Sequence, residues 1–251
     1  MWSRMTDALF REMVEAAALS YRRSGRYAWH FAKGKLGGDP VFPFLLRTPV
    51  LPSAGRLLDL GCGQGVLMAL LRSAAARHAE GAWPADWPPP PRNLDLQGME
   101  LGFRRARTAQ AALGDGATVV RGDIREVPLP RSTAIVILDV LLYLGRDDQA
   151  RVLARCAEAL EPGGVLVLRE ADAGAGVRFS VTRWAERAAC MSRGQWRQPL
   201  LYRPAPEWAA LLEGLGFTVA MTPMSSGTPF GNVLFVARRR ADMTGNYPSV
   251  D

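Results

Sequence analysis

Lysine is nearly absent from this chain. Only Lys33 and Lys35 contribute to the 31 lysines and arginines among 251 residues, so the net charge of +7 is carried by arginine. The planar guanidinium suits bidentate recognition of carboxylate or phosphate. That favours an acidic partner, although a solvated basic face is the plainer reading of Arg22, Arg23, Arg26, Lys33 and Lys35, and of Arg238, Arg239 and Arg240. Cysteine is scarce and odd in number. Cys62, Cys156 and Cys190 lie too far apart for a CxxC pair, which argues against a disulfide framework or structural zinc. Long apolar runs are missing: the stretch Ala134 to Leu138 stops at Asp139, far below the roughly eighteen residues of a membrane span. The first residues carry Asp7 and an amphipathic pattern where a signal peptide needs a basic start and an apolar core, so the expected location is cytoplasmic. With 48% hydrophobic and 22% charged residues, the chain can bury a sizeable core, and disorder is excluded.

What is present changes character along the chain. Residues 3 to 48 carry helical spacing, with Leu9, Phe10, Met13, Val14, Ala17 and Ala18 on one apolar face, and Asp39 before Pro40 reads as a helix start. From Arg56 onward short apolar runs alternate with helical stretches, the pattern of βαβ units around a parallel sheet. Strands are expected at Arg56 to Leu60, Leu94 to Glu100, Thr118 to Arg121, Ala134 to Asp139, Val165 to Glu170, Phe217 to Thr222 and Asn232 to Ala237. Helices are expected at Val66 to His78, Phe103 to Leu113, Arg146 to Leu160 and Pro206 to Leu215. A further helix, Val177 to Met191, belongs to an insertion at about 172–204. The expected fold class is α/β: a Rossmann-like, seven-stranded, mostly parallel sheet with helices on both faces. An N-terminal helical cap over 1–50, a main domain over 51–240 and a flexible tail over 241–251 complete the organisation. The run Trp83-Pro84-Ala85-Asp86-Trp87-Pro88-Pro89-Pro90-Pro91 reads as a polyproline surface loop lengthening one connection, with a proline-motif ligand as the alternative.

The richest stretch is Arg56-Leu57-Leu58-Asp59-Leu60-Gly61-Cys62-Gly63-Gln64-Gly65, a buried strand ending in an acid and then a glycine-rich turn opening a helix. Glycines let backbone approach a ligand, and the helix start offers unpaired N–H groups to an anion. The dinucleotide fingerprint G-x-G-x-x-G would need its third glycine at Val66, whereas here it stands at Gly65. The chain at this point resembles the class I S-adenosylmethionine-dependent methyltransferases, whose first motif is an acidic strand end followed by G-x-G-x-G. The resemblance runs from about Arg56 to Arg239. It implies S-adenosylmethionine as cofactor, held around Asp59, Gly61, Cys62 and Gly63. Gln97-Gly98-Met99-Glu100 ends the second strand, and Glu100 would accept both ribose hydroxyls, with Leu101 following it. In Arg121-Gly122-Asp123-Ile124, Asp123 would accept from the adenine amino group beside Gly122 while Ile124 flanks the ring. Asp139 closes the fourth strand next to the space between cofactor and acceptor. Leu160-Glu161-Pro162-Gly163-Gly164 before Val165 is the family's helix-to-strand turn. Taken singly, Asp59, Glu100 and Asp123 could also be ordinary turn or strand-end residues.

Methyl transfer from a sulfonium is an in-line displacement, so alignment carries much of the rate and a base matters only when the acceptor must lose a proton. Asp139-Val140-Leu141-Leu142 lacks the Asp/Asn-Pro-Pro-aromatic element of amine-directed DNA enzymes, and no cysteine follows proline, so a nucleic-acid acceptor is disfavoured. Asp139 has no acidic neighbour before Asp147, so no metal is expected. Candidate catalytic groups are His30, among Tyr27, Trp29 and Phe31 in the cap, because imidazole titrates near neutral pH; Tyr143, past the fourth strand; and Glu170, with Asp172, ending the fifth. For each, a packing or surface role is the competing reading. The C-terminal half also resembles stand-alone bacterial methyltransferases of aryl polyene assembly, which implies a small-molecule acceptor or an aromatic or acyl group on an acidic carrier protein. An NAD(P)-dependent oxidoreductase and a non-catalytic binding module are the alternative functions. The sequence carries no reading of oligomeric state.

Overall fold

The computed structural model describes residues 2–192, 194 and 196–239, with side chains from Asp7 onward. Arg240 and the expected tail over 241–251 lie outside the described residues. The chain opens with three helices, α1 (Trp2–Leu19), α2 (Arg26–Gly38) and α3 (Val41–Arg47). Alternation follows: β1 (Ala54–Leu60), α4 (Val66–Ala79), β2 (Asn93–Glu100), α5 (Phe103–Leu113), β3 (Thr118–Arg121), β4 (Ser132–Leu138), α6 (Arg146–Ala159) and β5 (Leu160–Ala171). The last part comprises α7 (Val177–Ser192), α8 (Ala205–Gly214), β6 (Phe217–Pro223) and β7 (Asn232–Arg239).

The strands form one seven-stranded sheet in the order β3-β2-β1-β4-β5-β7-β6, with β7 antiparallel to both neighbours and the others parallel. Successive residues of a strand point to opposite faces, and the core divides accordingly. Leu57, Ala134, Val136, Val165 and Val167 pack under α1 to α4. Leu58, Ile135, Ile137, Leu166 and Leu168 pack against α6 and α8. Each large aliphatic side chain buried this way contributes roughly 1.5–3 kcal/mol. The continuous apolar pattern of β4 is what coverage on both faces requires.

The N-terminal helices share one hydrophobic cluster with α4 and the sheet, from Phe10 and Met13 through Leu45 to Leu67 and Val136. They are a layer of the main body. Tyr21 links this layer to the glycine loop by donating its hydroxyl hydrogen to the Gln64 carbonyl at 2.8 Å. Asp39 accepts from the Val41 amide at 3.1 Å and so begins α3, as the Asp-Pro pair predicts. The proline-rich run departs from the free surface loop expected of it. Trp87, Pro90 and Pro91 are buried, Trp83 Nε1 donates to the Pro88 carbonyl at 3.0 Å, and the two tryptophan rings meet edge to face at 5.4 Å. Aromatic area buried against the cap outweighs the solvation a polyproline ligand would keep. At the fourth strand the expected boundary shifts: β4 ends at Leu138, and Asp139 stands beyond it at φ +59°, outside strand geometry.

Candidate active site

The strand order reverses between β1 and β4, and in open α/β sheets ligands sit in the crevice outside such a switch point. A cleft of about 510 Å³ lies there. The loop after β1 forms one side. Gly61 and Cys62 both donate backbone N–H to the Met99 carbonyl, and Gly65 stands at φ +76° just before α4. A Cβ built on Gly63 would meet nothing within 4 Å, so the loop leaves open space there.

Glu100, at the end of β2 beside this loop, is 4% exposed. Its Oε2 accepts from the Gly63 amide at 3.0 Å, while Oε1 accepts from the Gly102 amide at 2.7 Å and from Arg105 Nη2 at 2.6 Å. The carboxylate is thus held in place by loop and helix, with its charge fixed at the cleft wall. Leu101, Gly122, Asp123 and Ile124 continue the lining. Leu101 is exposed and Ile124 buried, giving two apolar surfaces near each other. Asp123 is gripped by Arg125, whose Nη2 lies 2.6 Å from Oδ2, and its pKa is lowered mainly by that bond. Asp59 is buried beneath the loop. Burial, and then the Glu100 charge, pushes its pKa up to about 7. Cys62 is a buried thiol whose pKa burial raises well above its ordinary value, which favours the protonated form.

A second cavity, about 360 Å³, adjoins the first, and Asp139 lines both. Its floor is a charged cluster that joins three elements. Arg169 of β5, 1% exposed, pairs with Asp139 and with Asp39 of the cap; its Nε lies 2.9 Å from Asp139 Oδ1. Lys35 adds a bond to Asp39 at 2.8 Å and approaches Asp139 at 3.6 Å. Burial alone would raise the Asp39 pKa, but the Arg169 and Lys35 charges bring it down to about 2. The positive φ of Asp139 costs roughly 1–3 kcal/mol. It is held there by this pairing and by its amide, which donates to the Arg169 carbonyl at 2.9 Å.

The expected residues separate. Asp59, Gly61, Cys62, Gly63, Glu100, Leu101, Gly122, Asp123, Ile124 and Asp139 gather around the cleft, with Asp59 and Cys62 behind its surface. Tyr143 lines the cleft and donates its hydroxyl hydrogen to Glu186 Oε2 at 3.0 Å; Glu186 in turn lines the second cavity. The two others depart from the expectation of acceptor contact. His30 is exposed on α2 with its ring 4.5 Å from Trp29, and it lines neither cavity. Glu170 is 1% exposed under the turn after β4, where Oε1 accepts from the Val140 and Leu141 amides at 3.1 and 2.7 Å. Burial first, and then the Asp139 charge, moves its pKa up to about 8. Asp172 receives the amides of Gly174 and Ala205 and thereby starts α8. Sequence reasoning passed over Lys35, Arg169 and Glu186. Arg169 bore one signal, a basic residue directly after the apolar run Val165 to Leu168 and beside Glu170.

The family model for the methyltransferase domain matches residues 28–221. The chain belongs to that family. Its fold and order of motifs accord with that membership. One similar protein is aclacinomycin 10-hydroxylase RdmB of Streptomyces purpurascens, 37% identical over 118 residues, covering 46% of this chain and 28% of that one. Another is carboxy-S-adenosyl-L-methionine synthase of Chromohalobacter salexigens, 32% identical over 131 residues, 50% of this chain and 43% of that protein. The chain therefore spans less than half the length of these curated relatives. Among solved structures, an O-methyltransferase family protein from Burkholderia thailandensis superposes with a TM-score of 0.61 at 16% identity, covering 88% of this chain and 62% of that one.

Proposed function

We propose that the protein is an S-adenosylmethionine-dependent methyltransferase acting on a small molecule. The observation that carries this is the buried Glu100 carboxylate, bonded to the glycine loop at the wall of the cleft. The cleft fits the cofactor by its donor chemistry. Glu100 is the acceptor for two ribose hydroxyls, Leu101 and Ile124 are apolar flanks for the adenine, and Asp123 with Gly122 stands at its edge. The open space at Gly63 admits a ligand against backbone, and Asp59 and Cys62 support the loop from behind. When bound, S-adenosylmethionine supplies an electrophilic methyl group on a sulfonium. The chain's own part is orientation. Tyr143 and Glu186 form a hydrogen-bonded pair at the boundary of the two cavities, and Asp139 forms the wall they share. Glu170 acts as a positioning residue, because its bonds to the Val140 and Leu141 amides shape the turn that carries Asp139.

A free small molecule and an aromatic or acyl group on a carrier protein both belong to this reading. Among the described residues no helix is long and apolar enough to cross a membrane. A cytoplasmic location is part of the proposal, supported by three buried cysteines without a disulfide.

Calorimetry with S-adenosylhomocysteine tests the reading. Micromolar binding is expected for the wild type, weakened at least about tenfold in Glu100→Gln, since a hydrogen bond to a charged group contributes roughly 1.5–3 kcal/mol. Equal affinity in the two proteins would refute the ribose assignment, and absence of binding to the wild type would refute the function.

A further inference from the structure

The second cavity has no occupant assigned by the reading above, and its lining is specific enough to name one. Two walls are smooth. Gly34 and Gly38 stand one turn apart on α2, and Ala185 and Ala189 one turn apart on α7. Met224 and Phe230 add apolar surface, and at about 360 Å³ the space lies at the small end of the range for ligand pockets. This is a slot for a flat ring system.

Two polar features restrict what fits. Thr228 lines the slot, and its buried hydroxyl oxygen has no hydrogen-bond partner in the protein. A buried hydroxyl of this kind is costly unless a ligand or water completes it. The lining cations are spoken for: Lys35 bonds to Asp39, and Arg169 to Asp39 and Asp139. Among the described residues of the lining both cations are already committed to carboxylates, so an anionic ligand gains no free cation there, whereas a neutral hydroxyl finds acceptors. Asp139, common to both cavities, sets the slot against the cleft.

We propose that this cavity is the acceptor site and that it takes a neutral, flat, hydroxylated aromatic compound, with Thr228 as a specificity-determining contact. The proposal rests on the methyl-transfer reading but concerns binding, so it is tested without turnover. The probes are 2-naphthol and 2-naphthoate, titrated by calorimetry into the protein alone and into protein saturated with S-adenosylhomocysteine. 2-Naphthol should bind at one saturable site, and 2-naphthoate at least tenfold more weakly. Ala189→Phe, which fills the slot, should weaken 2-naphthol at least tenfold and leave S-adenosylhomocysteine affinity unchanged, which also reports that the variant is folded. Thr228→Val should weaken it roughly three- to tenfold, the value of one neutral hydrogen bond. No binding of 2-naphthol to the wild type, equal binding by Ala189→Phe, or 2-naphthoate matching 2-naphthol would each overturn the assignment. A protein that binds S-adenosylhomocysteine but not 2-naphthol refutes the acceptor site alone. One that binds 2-naphthol alone refutes the cofactor reading and keeps the slot.

Discussion

Gly61 holds φ +73°, and a Cβ built there would lie 2.4 Å from Val140 Cγ2. Both the backbone conformation and the space therefore demand glycine, and they do so where the loop after β1 meets the turn carrying Asp139. Gly61→Ala should cost at least roughly 1–3 kcal/mol, read as a lowered urea midpoint. It should also weaken S-adenosylhomocysteine binding by moving the Gly63 amide off Glu100. An unchanged midpoint would mean that the loop yields freely. The glycines and Glu100 were legible in the sequence because their conformational and chemical requirements are local: a tight turn after a buried strand, an acid at the next strand's end. Arg169 was not. Its partner Asp39 lies 130 residues away, and nothing in the local pattern joins the two.

At the scale of elements, the turn after β4 is tied to its neighbours by one buried side chain. Gln149 of α6 donates to the Leu141 and Leu201 carbonyls, each at 3.0 Å, and accepts from Arg203 Nε at 2.7 Å. A single amide thus joins the turn after β4, α6 and the segment leading into α8. Gln149→Leu keeps the volume but removes these bonds, leaving the Leu201 carbonyl and the buried Arg203 Nε without their Gln149 partner, so it should destabilise by roughly 2 kcal/mol or more. Denaturant unfolding checks this, and a loss under about 0.5 kcal/mol, the usual effect of a surface change, would contradict the staple. Most elements were readable from periodicity, α5 and β3 to the residue. The terminus of β4 was not, because the leftward turn at Asp139 depends on pairing with Arg169 and not on its own propensity. The proline-rich connection was read as irregular, correctly, yet its packing through Trp87 required the cap to be in place.

For the whole molecule, buried acids predict how stability follows pH. Glu170 keeps its proton in the fold up to about 8, whereas an unfolded glutamate releases it near 4.5. Between those values the native state binds more protons, so this group's contribution falls as pH rises. Asp59, up to about 7, adds a slope of the same sign. Asp39 acts oppositely in acid: its contribution is present above about 3.8 and is lost as pH falls toward about 2. Glu170→Gln retains an oxygen for the Val140 and Leu141 amides but cannot ionise. Its stability relative to the wild type should rise between pH 6 and pH 8.5 in denaturant titrations, and a constant difference would show that Glu170 does not titrate in that window.

By itself the amino-acid order determined the alternating βαβ architecture, the reversal-point site and the glycine loop with its acidic partners, since hydrophobic period and turn chemistry act over a few residues. The tertiary structure alone decided that the cap is a layer of the core, that Arg169 draws Asp39 and Asp139 together, and that α2 and α7 enclose a slot. These features come from elements distant in the chain, and their energies exist only once burial has removed water from between the partners.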